Sequence, residues 1–212
     1  QVLGDSSCIA TYRFENDETD LSGNYDGTGT QIQYAAGRYG QAASFNGSSS
    51  YIDVSSFSFG SNNISLSMWI NPASSQNAYT NLFDFQHSSS DAGVFTIQQN
   101  NANTNQYQVW QWNGSSYNVS NAVTLTANTW NHLVYTLQSN GNYVLYLNGT
   151  SSTTGSNLIG HPSSLTKTLN IGRWQGNPTP GRYFTGEIDQ VRVFNKALSA
   201  SEVTTLYQEN SL

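Results

Sequence analysis

Hydrophobic positions in this chain alternate with polar ones over short runs, and clusters of Gly, Asn and Ser separate the runs. A period of two marks strands whose successive side chains point to opposite faces of a sheet. The runs predict strands at 8–14, 42–45, 51–54, 64–70, 81–85, 94–98, 107–112, 132–138, 142–147, 168–171 and 184–194. Asn46-Gly47, Asn113-Gly114, Asn140-Gly141 and Asn148-Gly149 suit the positive φ values of tight hairpin turns. The clearest hairpin joins 132–138 to 142–147. In its second strand Tyr143, Leu145 and Leu147 share one face while Val144 and Tyr146 take the other. Such a strand needs cover on both sides, or an aromatic-lined outer surface. So many strands at this spacing predict a sandwich or a barrel.

One helix is predicted, near the C-terminus. Ser199 is its N-cap, Glu202 closes a capping box three residues on, and Leu198 and Val203 occupy the hydrophobic-staple positions. No linker-like break in composition interrupts the pattern, so a single domain over 1–212 is expected.

Charge narrows the function. The 212 residues hold 7 Lys+Arg against 13 Asp+Glu, for a formal charge of −6. That balance offers no footprint for a phosphate backbone, which excludes nucleic acid as a partner. No run approaches the roughly 20 apolar residues of a bilayer span, so membrane insertion is not expected. Only 9% of residues are charged, against roughly 25% in ordinary soluble proteins. Ser, Thr, Asn, Gln and Gly fill their places, while 13% aromatic residues argue against disorder. The one cysteine, Cys8, rules out an intramolecular disulfide and reads as a buried small hydrophobe. The chain opens at Gln1 with no basic segment leading into an apolar one, which predicts no secretory signal. A start without Met suggests a processed form or an excised domain.

Several segments carry a family resemblance. They are Tyr12-Arg13-Phe14-Glu15-Asn16-Asp17-Glu18-Thr19-Asp20-Leu21-Ser22-Gly23-Asn24, Gly40-Gln41-Ala42-Ala43-Ser44-Phe45-Asn46-Gly47, and Ile64-Ser65-Leu66-Ser67-Met68-Trp69-Ile70. Trp130-Asn131-His132-Leu133-Val134, Leu145-Tyr146-Leu147-Asn148-Gly149 and Phe184-Thr185-Gly186-Glu187-Ile188-Asp189-Gln190-Val191-Arg192-Val193-Phe194 complete the set. In this order they resemble the laminin-G-like, concanavalin A-like lectin/glucanase superfamily. The resemblance implies an all-β fold, a two-sheet antiparallel jelly-roll sandwich with a short C-terminal helix. That fold hosts lectins, glycosidases and structural modules alike, so function must come from the site. The opening Leu3-Gly4-Asp5-Ser6-Ser7-Cys8-Ile9-Ala10 also resembles domains of phage tail and other virion surface proteins. It implies an extracellular or virion-surface location.

Glycosidases of the superfamily place acids as Glu-x-Asp-x-x-Glu on one strand. The comparable stretch here is Glu187-Ile188-Asp189-Gln190-Val191-Arg192. An arginine stands where the last carboxylate belongs, and a group with a pKa above 12 cannot protonate a leaving group. There is no Gly-x-Ser-x-Gly elbow, and His87, His132 and His161 lack metal-ligand spacing. His132 reads as a packed, hydrogen-bonded residue. The expectation is no enzyme.

Glu15, Asp17, Glu18 and Asp20 make the sharpest charge feature. It is either a solvated acidic turn or a Ca²⁺ loop, since a hard cation wants six to eight oxygens. The resemblance implies a structural Ca²⁺ held by Asp20, Asn24 and Asp189, with Glu15 and Glu187 in reserve.

A sugar site needs aromatic faces and polar groups for hydroxyls. Trp69 and Trp130 read as core residues, Trp69 on the inner face. Trp110 and Trp112 share one face of their strand and Tyr107, Val109 and Gln111 the other. Either face can be the interior; only an inward Val109 leaves the two indoles as an outer platform. The most site-like loop runs Arg173-Trp174-Gln175-Gly176-Asn177-Pro178-Thr179-Pro180-Gly181-Arg182-Tyr183, with two arginines, two aromatics and two stiffening prolines. Trp174 and Tyr183 displayed between Arg173 and Arg182 suit a glycan, above all one bearing a carboxylate; a plain, core-capping connection is the other reading. The expected function is a noncatalytic module binding a cell-surface glycan or polysaccharide within a virion or adhesin assembly. The alternative is a virion structural or decoration domain with protein–protein contacts only. A glycoside hydrolase ranks third.

Overall fold

The computed structural model describes residues 3–86, 91–102, 104–175 and 182–209. His87 and the loop residues 176–181 lie outside them. In chain order the strands are β1 (Cys8–Tyr12), β2 (Thr28–Thr30), β3 (Gln33–Ala36), β4 (Gln41–Asn46), β5 (Tyr51–Ser58), β6 (Ile64–Pro72), β7 (Asn81–Phe85) and β8 (Phe95–Gln99). They continue with β9 (Gln106–Trp112), β10 (Tyr117–Val119), β11 (Val123–Thr124), β12 (Asn131–Leu137), β13 (Tyr143–Leu147), β14 (Thr150–Gly155), β15 (Thr166–Ile171) and β16 (Thr185–Phe194), and the helix α1 is Ala200–Tyr207.

Two antiparallel sheets face each other as a jelly-roll sandwich. One, the helix-side sheet, has the order β14-β13-β12-β6-β16-β4-β3, with β1 on the far half of β16. The other, the loop-side sheet, has the order β10-β9-β8-β7-β15-β5-β2, with β11 on β9. Leu66, Met68, Leu133, Tyr135 and Val193 of the first meet Val54, Phe83, Phe95, Ile97 and Val109 of the second in one hydrophobic core. Phe59 binds its centre together, with ring centroids 5.2 Å from Phe57, 5.1 Å from Phe85 and 4.7 Å from His161.

The expected hairpin forms between β12 and β13, Leu137 opposite Tyr143 and Leu133 opposite Leu147, with Gly141 at φ 86° in its turn. The two-sided apolarity of β13 is met on both sides. Tyr143, Leu145 and Leu147 pack in the main core, whereas Val144 and Tyr146 join Val134, Phe194, Leu198, Val203 and Leu206 beneath α1. The capping box is present: the Ser199 hydroxyl accepts from the Glu202 N–H and the Glu202 carboxylate accepts from the Ser199 N–H.

Trp69 departs from its expected place. It is 3% exposed, but Ile64, Leu66, Met68 and Ile70 take the inner face of β6, so Trp69 points outward with Ser65 and Ser67 and is buried by α1 instead. Trp130 is half-buried rather than core.

Candidate functional site

Pair registers place one residue from each strand of the loop-side sheet except β11 in a single row across its outer face. The row runs Val119, Trp110, Thr96, Asp84, Asn170, Asp53, Thr28. The alternation of β9 resolves in favour of the platform: Tyr107, Val109 and Gln111 are buried inward, and Trp110 and Trp112 stand outward, half-buried. Tyr117, 47% exposed, sits opposite Trp112 with ring centroids 4.9 Å apart and lies 6.3 Å from Trp110. Three rings thus line the β9–β10 end of the face.

The middle of the row is roofed by the segment after β15. The Arg173 Nη2 donates to both Asp53 carboxylate oxygens at 3.0 and 2.8 Å, and its guanidinium lies 3.4 Å from the Tyr51 ring centroid. Arg173 Nε also donates to Asn170 at 3.1 Å, and the Gln175 N–H donates to Asp84 at 3.1 Å. Burial raises the Asp53 carboxyl while the Arg173 charge pulls it down. Tyr183 leans toward Tyr51, centroids 6.5 Å apart. The four loop residues therefore split. Arg173 and Tyr183 anchor the loop to β5, which corrects the reading of Arg173 as a ligand-facing cation: its charge is spent on Asp53.

Arg182 and Trp174 make the other half. The guanidinium lies 3.9 Å from the Trp174 ring centroid and 5.5 Å from that of Tyr79. The charges nearest it in influence are those of Tyr79, Asp84 and Tyr117, and burial lowers its pKa. Tyr79 is 42% exposed and held at φ 58°, a left-handed backbone that costs a bulky residue.

Tyr79, Tyr117, Asp84, Tyr51 and Asp53 were not among the sequence-predicted site residues. Tyr117 had a signal. Carrying the register through the Asn113-Gly114 turn, closed by Asn113 N–H to Ser116 O at 3.0 Å, sets it opposite Trp112.

The expected metal residues do not assemble. Asp20 is buried and its carboxylate accepts from the N–H groups of Thr11 at 2.7 Å, Ser22 at 3.1 Å and Tyr25 at 3.2 Å, and from the Ser22 hydroxyl. A ring of N–H dipoles pointing inward stabilises the carboxylate itself and opposes a cation beside it. Asn24 turns its amide toward Ser22. Asp189 accepts from Tyr39 N–H at 3.0 Å and Glu15 from Gln41 N–H at 3.1 Å, so the two acids clasp the 39–41 turn, where Gly40 has φ 55°. Burial pushes the Asp189 carboxyl up to about 6. Among the described residues no three His, Cys, Asp or Glu side chains lie together as a metal-binding group.

The acids on β16 meet a similar fate. A bulge between Asp189 and Arg192, with Gln190 at φ 51°, interrupts the alternation of the strand. Glu187 accepts from Asn71 at 3.1 Å, and Arg192 is 4% exposed and paired to Glu209 at 2.6 Å. Ser67 Oγ lies 2.8 Å from His132 Nε2, a pair resembling a hydrolase dyad. Both are 1% exposed, His132 Nδ1 has no partner, and burial with the nearby Arg192 and Arg38 charges holds the imidazole down at about 3.

This two-sheet frame has relatives. The sequence profile of the concanavalin A-like lectin/glucanases superfamily matches residues 46–204. The chain belongs to that superfamily. Among solved structures it is similar to domain 4 of the extracellular GH43 arabinanase AbnA from Geobacillus stearothermophilus, in complex with arabinotriose. There the TM-score is 0.75 and the identity 26%, covering 95% of this chain and 98% of that one. It is also similar in fold to the binding domain of Paraclostridial Mosquitocidal Protein 1, with a TM-score of 0.74 and 20% identity over 98% of this chain and 52% of that one. The receptor-binding domain of a botulinum neurotoxin C/D mosaic serotype gives a TM-score of 0.74 and 18% identity, over 95% and 51%. The chain spans about half the length of these toxin domains. Among curated proteins no relative matches. Among the described residues no helix is long and apolar enough to cross a membrane.

Proposed function

We propose that this domain is a noncatalytic carbohydrate-recognition module of an extracellular or virion-surface protein, and that it holds a saccharide on the aromatic end of the loop-side sheet. The observation that carries the reading is the outward cluster of Trp110, Trp112 and Tyr117 beside a polar row. Indole and phenol faces suit the C–H side of a sugar ring, and Gln108, half-buried two residues before Trp110 on the same face of β9, keeps its amide oxygen for a hydroxyl while its nitrogen donates to Ser120 O at 2.9 Å. Similarity to a near-complete domain seen with arabinotriose supports it.

A role without catalysis is supported by how the acids are used. Glu187 and Asp189 are hydrogen-bonded on the opposite sheet, and Asp53 and Asp84 tie down the loop. Glycoside hydrolysis needs two carboxyl groups flanking one open bond.

The experiment is titration with arabino-oligosaccharides and a panel of surface polysaccharides, followed by tryptophan fluorescence. Binding that shifts the emission and is weakened about tenfold or more by Trp112→Ala supports the module. Silence across the panel overturns it and favours a domain making only protein–protein contacts. Hydrolysis of any panel member overturns the noncatalytic part.

A further inference from the structure

Resting on that reading, we propose that Arg182 selects among saccharides by accepting one that bears a carboxylate. Three donors on this outer face are buried without an acceptor: Arg182 Nε, Trp174 Nε1 and Trp110 Nε1. A buried donor left unpaired costs on the order of 1–3 kcal/mol, so a native structure keeps such groups where something else completes them. The deficit is one-sided. A sugar hydroxyl brings a donor with each acceptor, whereas an ionised carboxylate is acceptor-only.

The cation is held for that purpose. Its flat face is on Trp174 at 3.9 Å, with Tyr79 at 5.5 Å, which fixes the guanidinium plane while leaving its N–H edge to hydrogen bonding. Arg173 and Arg192 differ, since their carboxylates Asp53 and Glu209 lie at 2.8 and 2.6 Å. Asp84 is the carboxylate closest in influence to Arg182, yet it is fully buried and accepts the Gln175 N–H. Its charge favours the charged guanidinium. Tyr117, the exposed ring of the platform, lies within electrostatic reach of Arg182, so one sugar can stack there while its carboxylate meets the guanidinium.

The test compares three probes by calorimetry: an oligogalacturonate, its carboxyl-reduced neutral counterpart, and an arabino-oligosaccharide. The wild-type protein is expected to prefer the acidic chain over its reduced form by about tenfold or more, the size of one charge-assisted hydrogen-bonded pair. Arg182→Gln should take that ratio to about one, and Arg182→Lys, which keeps charge and loses the fork, should leave an intermediate ratio. Circular dichroism establishes that both variants fold. Equal wild-type affinity for acidic and reduced chains overturns this proposal and leaves the neutral platform standing, as does a preference that survives in Arg182→Gln. Binding to none of the three overturns this proposal, while silence across the whole polysaccharide panel overturns the reading beneath it.

Discussion

On the outer face of the helix-side sheet, Trp69 lies 4.9 Å from His132 and 5.7 Å from Tyr207, with the Arg38 guanidinium 4.5 Å away, and is 3% exposed. On the outer face of the loop-side sheet, Trp110 and Trp112 flank Tyr117, and Arg182 stacks on Trp174. The two faces draw on the same residue types, tryptophan, tyrosine and arginine. What separates them is the cover. Helix α1 lays Val203 and Leu206 over Val134 and Tyr146 and closes its face. The segment 173–175 pins only the middle of the other face, and the β9–β10 end keeps the exposed ring of Tyr117 beside the half-buried indoles of Trp110 and Trp112. A tryptophan–arginine contact says little by itself; exposure distinguishes a packed face from a receiving one.

The sharpest way to break this comparison is to truncate the buried indole. Trp69→Ala should cost about 3–5 kcal/mol of stability, the range for removing a large buried aromatic, and should leave sugar affinity unchanged once the protein is folded. Denaturant unfolding and calorimetry measure the two. A loss of affinity without loss of stability would mean that the helix-side face binds ligand.

Acid should open the interior next. Burial holds His132 at about 3 and His161 at about 4, both below the ordinary 6.5. Protonation therefore favours the unfolded chain. Stability from these neutral imidazoles is fully present above about pH 6.5 and is lost as pH falls toward 3, at about 1.4 kcal/mol per pH unit for each histidine. His132→Asn should reduce the slope between pH 6 and 4 by that share, read from urea midpoints at each pH. An unchanged slope would show that His132 does not carry it.

The strands missed by pattern reading explain what a sequence shows of such a fold. β14 and β3 are the edges of one sheet, and β10 and β2 the edges of the other. Edge strands are wet, so Thr150–Gly155 and Thr28–Thr30 carry no apolar alternation to read. Interior strands such as β12 and β6, pressed on both faces, were legible because burial demands a pattern. The platform was half legible for the same reason. Trp110 and Trp112 announced a shared face, but which face looks outward depends on partners across the sheet. Tyr79 and Asp84 join the site only through register and loop placement, which leave no local mark.

Tyr117→Ala is the milder counterpart of the Trp69 variant. The ring is 47% exposed on an edge strand, so stability should change by about 0.5 kcal/mol or less, while affinity for a bound oligosaccharide falls about fivefold to tenfold. A stability loss comparable to that of Trp69→Ala would make the ring structural and erase the contrast between the faces.

The smallest effect should come from calcium. A ligand that binds only the folded state raises its melting temperature by mass action, so a structural ion would announce itself on addition after chelation. Here the Asp20 oxygens already face the N–H groups of Thr11, Ser22 and Tyr25, and Asp189 and Glu15 each hold a backbone N–H of the 39–41 turn. Coordinating an ion through these oxygens would set it against donors that already point at them. EDTA followed by millimolar Ca²⁺ should therefore move the melting temperature by less than about 1 °C, whereas Asp20→Ala, by stranding three backbone donors, should lower stability by about 2 kcal/mol with or without the ion. A rise of several degrees with Ca²⁺ that Asp20→Ala abolishes would reverse the assignment and make that loop a cation site.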